Sequence, residues 1–182
     1  MKALFIKYKL VVRFIITFLL VYSIFSFLYR GYLHVSEDSK YYPDYMTNLV
    51  AKQSRALLES ADYRAQIIPH PDEASMKLII NEKYVARIIE GCNSVSVIIL
   101  FMSFIIAFAS KARTTILYIF VGSILIYVAN LLRVVLLSAG LYHFPWRKDI
   151  LHNVIFPAII YGMVFLLWML WINRIANLKN QK

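Results

Sequence analysis

The chain has 182 residues, 60% of them apolar and 16% charged, with 20 Lys and Arg against 10 Asp and Glu for a formal net charge of +10. Soluble domains average fewer apolar and more charged residues, and here positions 14–29, 93–109, 114–132 and 150–173 contain no Asp, Glu, Lys or Arg at all. Runs close to the roughly 20 apolar residues that a bilayer-crossing helix needs exclude a soluble globular enzyme, a disordered chain and a nucleic-acid-binding domain, and point to a membrane protein in contact with the lipid bilayer.

The first predicted span, residues 10–29, follows Lys2, Lys7 and Lys9. Its apolar part is longer than the core of a signal peptide, and residues 23–29 offer no pair of small residues for cleavage, so it reads as a retained anchor. A segment of roughly 60 residues follows, from Arg30 to Gly91. Within it, Met46, Leu49, Val50, Leu57 and Leu58 recur at helical spacing after Pro43, which predicts an amphipathic helix over residues 44–61, expected to lie on the membrane. Pro69 and Pro71 punctuate the chain. Residues 76–80 and 84–89, separated by Asn81, Glu82 and Lys83, then read as a short β-hairpin that leads into Cys92. The segment is too small to be assigned a separate fold of its own.

The second span is expected to start after Cys92 and end before Lys111, and the third to run from Thr114 to about Ala139 with Arg133 late in it. The fourth, residues 150–171, ends on Trp168 and Trp171, whose indole rings favour a membrane interface. Pro157 is expected to kink it, and Ala158 and Gly162 to allow close helix packing. The fold class predicted is therefore an all-α membrane protein, a four-transmembrane-helix bundle with an extracytoplasmic segment. Residues 1–29 form the cytoplasmic N-terminus and anchor, residues 30–91 the outer segment, and residues 92–182 a three-span core with a cytoplasmic C-terminus. Orientation follows from the positive-inside rule: nine Lys and Arg flank the inner ends with no acidic residue, whereas residues 30–91 carry eight Lys and Arg against nine Asp and Glu.

Polar residues inside such spans are costly and therefore informative. Cys92 is the single cysteine, so no intramolecular disulfide forms. It is expected at the start of the second span, where helix amides favour an anionic sulfur able to attack carbonyl carbon, with Ser96, Ile99 and Ser103 on the same face. Arg133 lies three residues from Asn130 on one helical face, and its five donors suit a substrate carbonyl or a developing oxyanion. His152 opens the fourth span on the same side and supplies an acid/base group for neutral pH, with His143 in the preceding loop as the other candidate. Each residue also has a plain structural reading, as a small packing residue, a snorkelling anchor and an interface histidine. One cysteine and scattered histidines give no metal-ligand spacing, and no cofactor is implied.

The run Glu90-Gly91-Cys92-Asn93-Ser94, the run Asn130-Leu131-Leu132-Arg133-Val134 and the His152 that heads the last span resemble the exosortase/archaeosortase family of membrane cysteine transpeptidases, in the small form found in Bacteroidetes-like bacteria. The resemblance covers residues 84–171, about half the chain. It implies a protein of the cell inner membrane that cleaves C-terminal sorting signals of exported proteins on the outer side and transfers the new end to an acceptor. Position by position, Cys92 becomes the nucleophile, Arg133 the group that orients the scissile carbonyl and His152 the proton donor and acceptor, with Asn130, Asn93 and Ser96 in support. Asn93 and Ser94 stand where many members have Ser-Gly, and typical members have about eight spans. The alternative from another class is a noncatalytic assembly or scaffold protein that recruits a partner through residues 44–90.

Overall fold

A computed structural model describes residues 8–36, 41–109 and 111–180. Five long helices and a three-stranded sheet carry the fold, in the order α1 (Lys9–Ser36), α2 (Tyr45–Ser60), β1 (Ala65–Pro69), β2 (Met76–Ile80), β3 (Lys83–Ile88), α3 (Val95–Ala107), α4 (Ala112–His143) and α5 (Phe156–Asn180). Three helices are long and apolar enough to cross a membrane: α1, α4 and the Phe156–Ile175 part of α5. They expose aliphatic and aromatic side chains, among them Leu19, Phe27, Phe120, Leu132 and Phe165. An apolar surface of this extent is stable against lipid and not against water.

The second predicted span is shorter than expected. Helix α3 has 13 residues, a rise of about 20 Å against a hydrocarbon thickness of about 30 Å. Its first turn is displaced because Glu90–Cys92 form a 3-10 turn instead, and it ends at Phe108, whose N–H bonds back to the Phe104 carbonyl. Aromatic contacts hold α3 against α1, with the Phe14 ring 4.3 Å from that of Phe108 and 5.6 Å from that of Phe104.

Helix α2 forms where the amphipathic pattern predicted it. Asp44 caps its N-terminus, its Oδ1 accepting from the amides of Met46 at 2.9 Å and Thr47 at 3.0 Å, which satisfies two otherwise unpaired helix donors. Its apolar side packs on protein, contrary to the expected place on the membrane surface: Val50 and Ala51 join Met76, Ile88 and Val134, and Leu58 joins Ala65, Leu78 and Ile80. The physical reason is the sheet, which offers a second apolar face. The β2–β3 hairpin turns through Asn81 and Glu82, with φ of 49° and 66°, the left-handed geometry that tight two-residue hairpins require. A third strand, β1, pairs antiparallel with β2 and ends on Pro69, at an edge where a missing N–H costs no ladder bond.

This helix–sheet unit completes its core with α4. Val134, Val135 and Ala139 pack into it, and the Tyr127 hydroxyl donates to Gln53 Oε1 at 2.6 Å. Helix α4 has 32 residues, about 48 Å in length, so its first part lies in the apolar bundle and its last part among α2 and the sheet.

At the other end of the bundle the two tryptophans pack against α3 and the residue that ends it. Trp171 is fully buried, and its Nε1 donates to the Phe108 carbonyl at 3.2 Å. The Trp168 ring stacks on Phe104 at 4.3 Å. The irregularity expected at Pro157 sits just before it, as a π-turn over Leu151–Ile155, because proline withdraws an N–H from the preceding turn. Ala158 and Gly162 are exposed, and a Cβ on Gly162 would meet nothing within 4 Å. The close approach is made instead by Gly122 of α4, where a Cβ would lie 2.3 Å from the Phe101 ring of α3. Gly122→Ala is therefore expected to destabilise the protein by about 1–3 kcal/mol, read as a lower thermal midpoint in detergent, and Phe101→Leu in the same chain is expected to restore part of the loss.

Candidate active site

The β3 strand, the turn after it, the last third of α4 and the segment that enters α5 surround one cavity of about 360 Å³, within the size range of small-ligand and substrate sites. Cys92, Arg133 and His152 all line it. Three residues separated by up to 60 positions in sequence thus converge on one space.

Cys92 is half-buried and ends the 3-10 turn Glu90–Cys92. It does not begin α3, which starts at Val95, and the Val95 amide donates to Asn93 Oδ1 at 3.0 Å. Two asparagines fix the position of the turn. Asn130 is buried in α4 and its Nδ2 donates to the Cys92 carbonyl at 2.6 Å. Asn93 is buried too, and its Nδ2 donates to the Tyr29 hydroxyl at 2.7 Å and Thr47 Oγ1 at 3.2 Å. The loop that carries the thiol is thereby tied to α1, α2, α3 and α4. Ser94, at φ 63°, takes the left-handed conformation that this sharp entry to the helix demands.

Arg133 is half-buried, one turn of α4 beyond Asn130. No hydrogen bond or ion pair engages its guanidinium among the described residues, and the residue lines the cavity. His152 is exposed and lies in the π-turn; such turns recur at functional sites because they shift side chains out of helical register. His143, the other candidate, points elsewhere: its Nε2 is 2.9 Å from the Tyr63 hydroxyl and it does not line the cavity. Of the supporting residues, Asn130 and Asn93 hold the cysteine turn and do not line the space, whereas Ser96 is exposed on α3 away from it.

Two cavity residues escape sequence reasoning, Arg87 on β3 and Lys148 before the π-turn. With Arg133 they give the lining three cations and no carboxylate among the described residues, a surrounding that stabilises negative charge developing within it. Arg87 also pairs with Glu73, through Nη1 alone. No group of three or more His, Cys, Asp or Glu that could hold a metal is found among the described residues.

No protein family model, curated protein or solved structure matches the chain. The site is therefore read from its own geometry. Asn130→Asp sets a carboxylate oxygen against the Cys92 carbonyl in place of a donor, and is expected to displace the turn. The measurement is the rate at which a water-soluble maleimide modifies Cys92, expected to change by about tenfold or more while Asn130→Gln changes it less.

Proposed function

We propose that the protein is a membrane-embedded cysteine transpeptidase or protease of the exosortase type, acting on exported proteins that carry a C-terminal sorting signal. The observation that carries this reading is the single cavity lined by Cys92, Arg133 and His152, which is what acyl transfer through a thioester requires: nucleophile, carbonyl-polarising group and proton carrier. The resemblance of the residues around Cys92, Arg133 and His152 to that family points the same way. In this reading the protein lies in the cell inner membrane with both termini in the cytoplasm, α3 serves as a fourth, short span, and the helix–sheet unit stands outside with the cavity open to that side.

The chemistry divides among the three side chains. The Cys92 thiol gives its proton to His152 and its Sγ attacks the scissile carbonyl carbon. The oxyanion so formed is held by the Arg133 guanidinium. The carbon–nitrogen bond breaks as His152 returns the proton to the leaving amine, leaving a thioester on Cys92. An incoming amine, or water, then loses a proton to His152, attacks the thioester and frees the thiol.

A noncatalytic assembly role draws on apolar side chains that the helix–sheet unit keeps exposed, among them Tyr45 and Ile68. The two readings part on one experiment. In cells making a tagged exported protein with a C-terminal apolar helix and basic tail, Cys92→Ala is expected to abolish processing, at least about 1,000-fold, and Arg133→Lys to slow it about 100-fold. Both are followed as the ratio of full-length to shortened substrate. Processing unchanged in Cys92→Ala sinks the enzyme reading, and loss of function only on deletion within residues 44–90 establishes the scaffold. Sidedness has its own check: a membrane-impermeant thiol reagent is expected to label Cys92 in intact cells, and labelling confined to inverted vesicles reverses the topology.

A further inference from the structure

The sheet order is β1-β2-β3, so β3 pairs with β2 on one side and with no strand on the other among the described residues. Five successive residues of β3, from Tyr84 to Ile88, line the cavity. Side chains of a strand alternate between faces, so a cavity lying over one face touches every second residue. The bulge opposite Leu78 and Ile79 accounts for two neighbours sharing a side, not for five. A continuous run of lining residues places the cavity along the side of the strand that pairs with no other strand, next to Leu137, Leu141 and Phe156, against which Val85 and Ala86 pack, and the backbone N–H and C=O groups not used by the β2 ladder are directed to that side. The same edge leads within a few residues to Cys92. The cations Arg87, which is ion-paired with Glu73 through Nη1, and Lys148 stand along this space, and no carboxylate is among the described lining residues.

We propose that the cavity takes its substrate by strand addition: an extended peptide segment bearing acidic side chains pairs with the free edge of β3, its carboxylates meeting Arg87 and Lys148 and its backbone running on toward Cys92. Main-chain pairing of this kind gives affinity, and the flanking side chains give selectivity. The choice of a peptide over other anions follows from the edge, because unpaired backbone donors and acceptors at strand spacing match another backbone. The purpose of the binding rests on the transpeptidase reading, but the binding itself does not.

The test uses the full-length Cys92→Ser variant in nanodiscs of phosphatidylcholine and fluorescein-labelled, capped eight-residue peptides that alternate Thr and Glu, read by fluorescence anisotropy. N-methylation of the amides along one edge of the peptide is expected to weaken binding about tenfold or more, while methylation along the opposite edge leaves it unchanged. A Thr–Lys peptide is expected to bind about tenfold more weakly than Thr–Glu, and Arg87→Ala with Lys148→Ala to erase that preference. Equal effects of methylation on the two edges, or no binding of the Thr–Glu peptide, overturn strand addition. Equal binding of Thr–Glu and Thr–Lys overturns the acidic substrate, as does displacement of the peptide by phosphatidylglycerol, which reassigns the cations to lipid headgroups. Because the variant has no thiol, edge-selective binding without processing in the wild-type chain sinks only the enzyme reading, and processing without edge selectivity sinks only strand addition.

Discussion

Helix α4 is asked to serve two surroundings without a break. Over its first part its side chains face an apolar bundle, where Gly122 lets the Phe101 ring of α3 approach its backbone and Tyr118 donates to the Leu167 carbonyl of α5 at 2.6 Å. Over its last part the same helix supplies Val134, Val135 and Ala139 to the core beneath α2 and the sheet. An α-helix of 32 residues is longer than a bilayer is thick by about 18 Å, and a helix satisfies its own backbone hydrogen bonds in either medium. That allows one rigid rod to join the apolar bundle to the polar site. Arg133 lies in the last part of this rod, one turn beyond Asn130, where it lines the cavity beside β3.

The cysteine turn is located by the same rod. Asn130, one turn before Arg133, donates to the Cys92 carbonyl, and Asn93 reaches to Tyr29 and Thr47. Buried amides of this kind are stable only when their hydrogen bonds are made, so each fixes its partners as firmly as it is fixed. Sulfur and guanidinium face one space because the backbone of one is bonded to a side chain near the other. The π-turn before Pro157 then brings His152 to the same lining.

The hydropathy runs and the hairpin were legible in the sequence, as were the amphipathic helix after Pro43 and the three candidate side chains of the site, because each depends on neighbours a few residues away. The rest was not. Strand β1 was hidden by Pro69 and Pro71, which read as punctuation although an edge strand tolerates a terminal proline. The shortness of α3 follows from a 3-10 turn and a left-handed Ser94, which apolar composition does not register. Trp168 and Trp171 have the signature of interface residues, and their contacts with Phe104 and Phe108 were not legible in the sequence. Gly162 looked like the close-packing glycine by spacing with Ala158, whereas Gly122, with no small partner at that spacing, is the one against a neighbouring ring.

What the sequence determined by itself is the medium and the candidate groups: charge-free apolar runs are suited to lipid, and one cysteine, one arginine and two histidines, His143 and His152, are the candidate reactive groups near one end of those runs. What only the tertiary structure decided is their meeting. A cavity is a property of the space between elements, and Arg87 and Lys148 join it from a strand and a loop whose residues carry no mark of it. The free edge of β3 is likewise invisible in one dimension, because whether a strand's second side is paired depends on every other strand in the sheet.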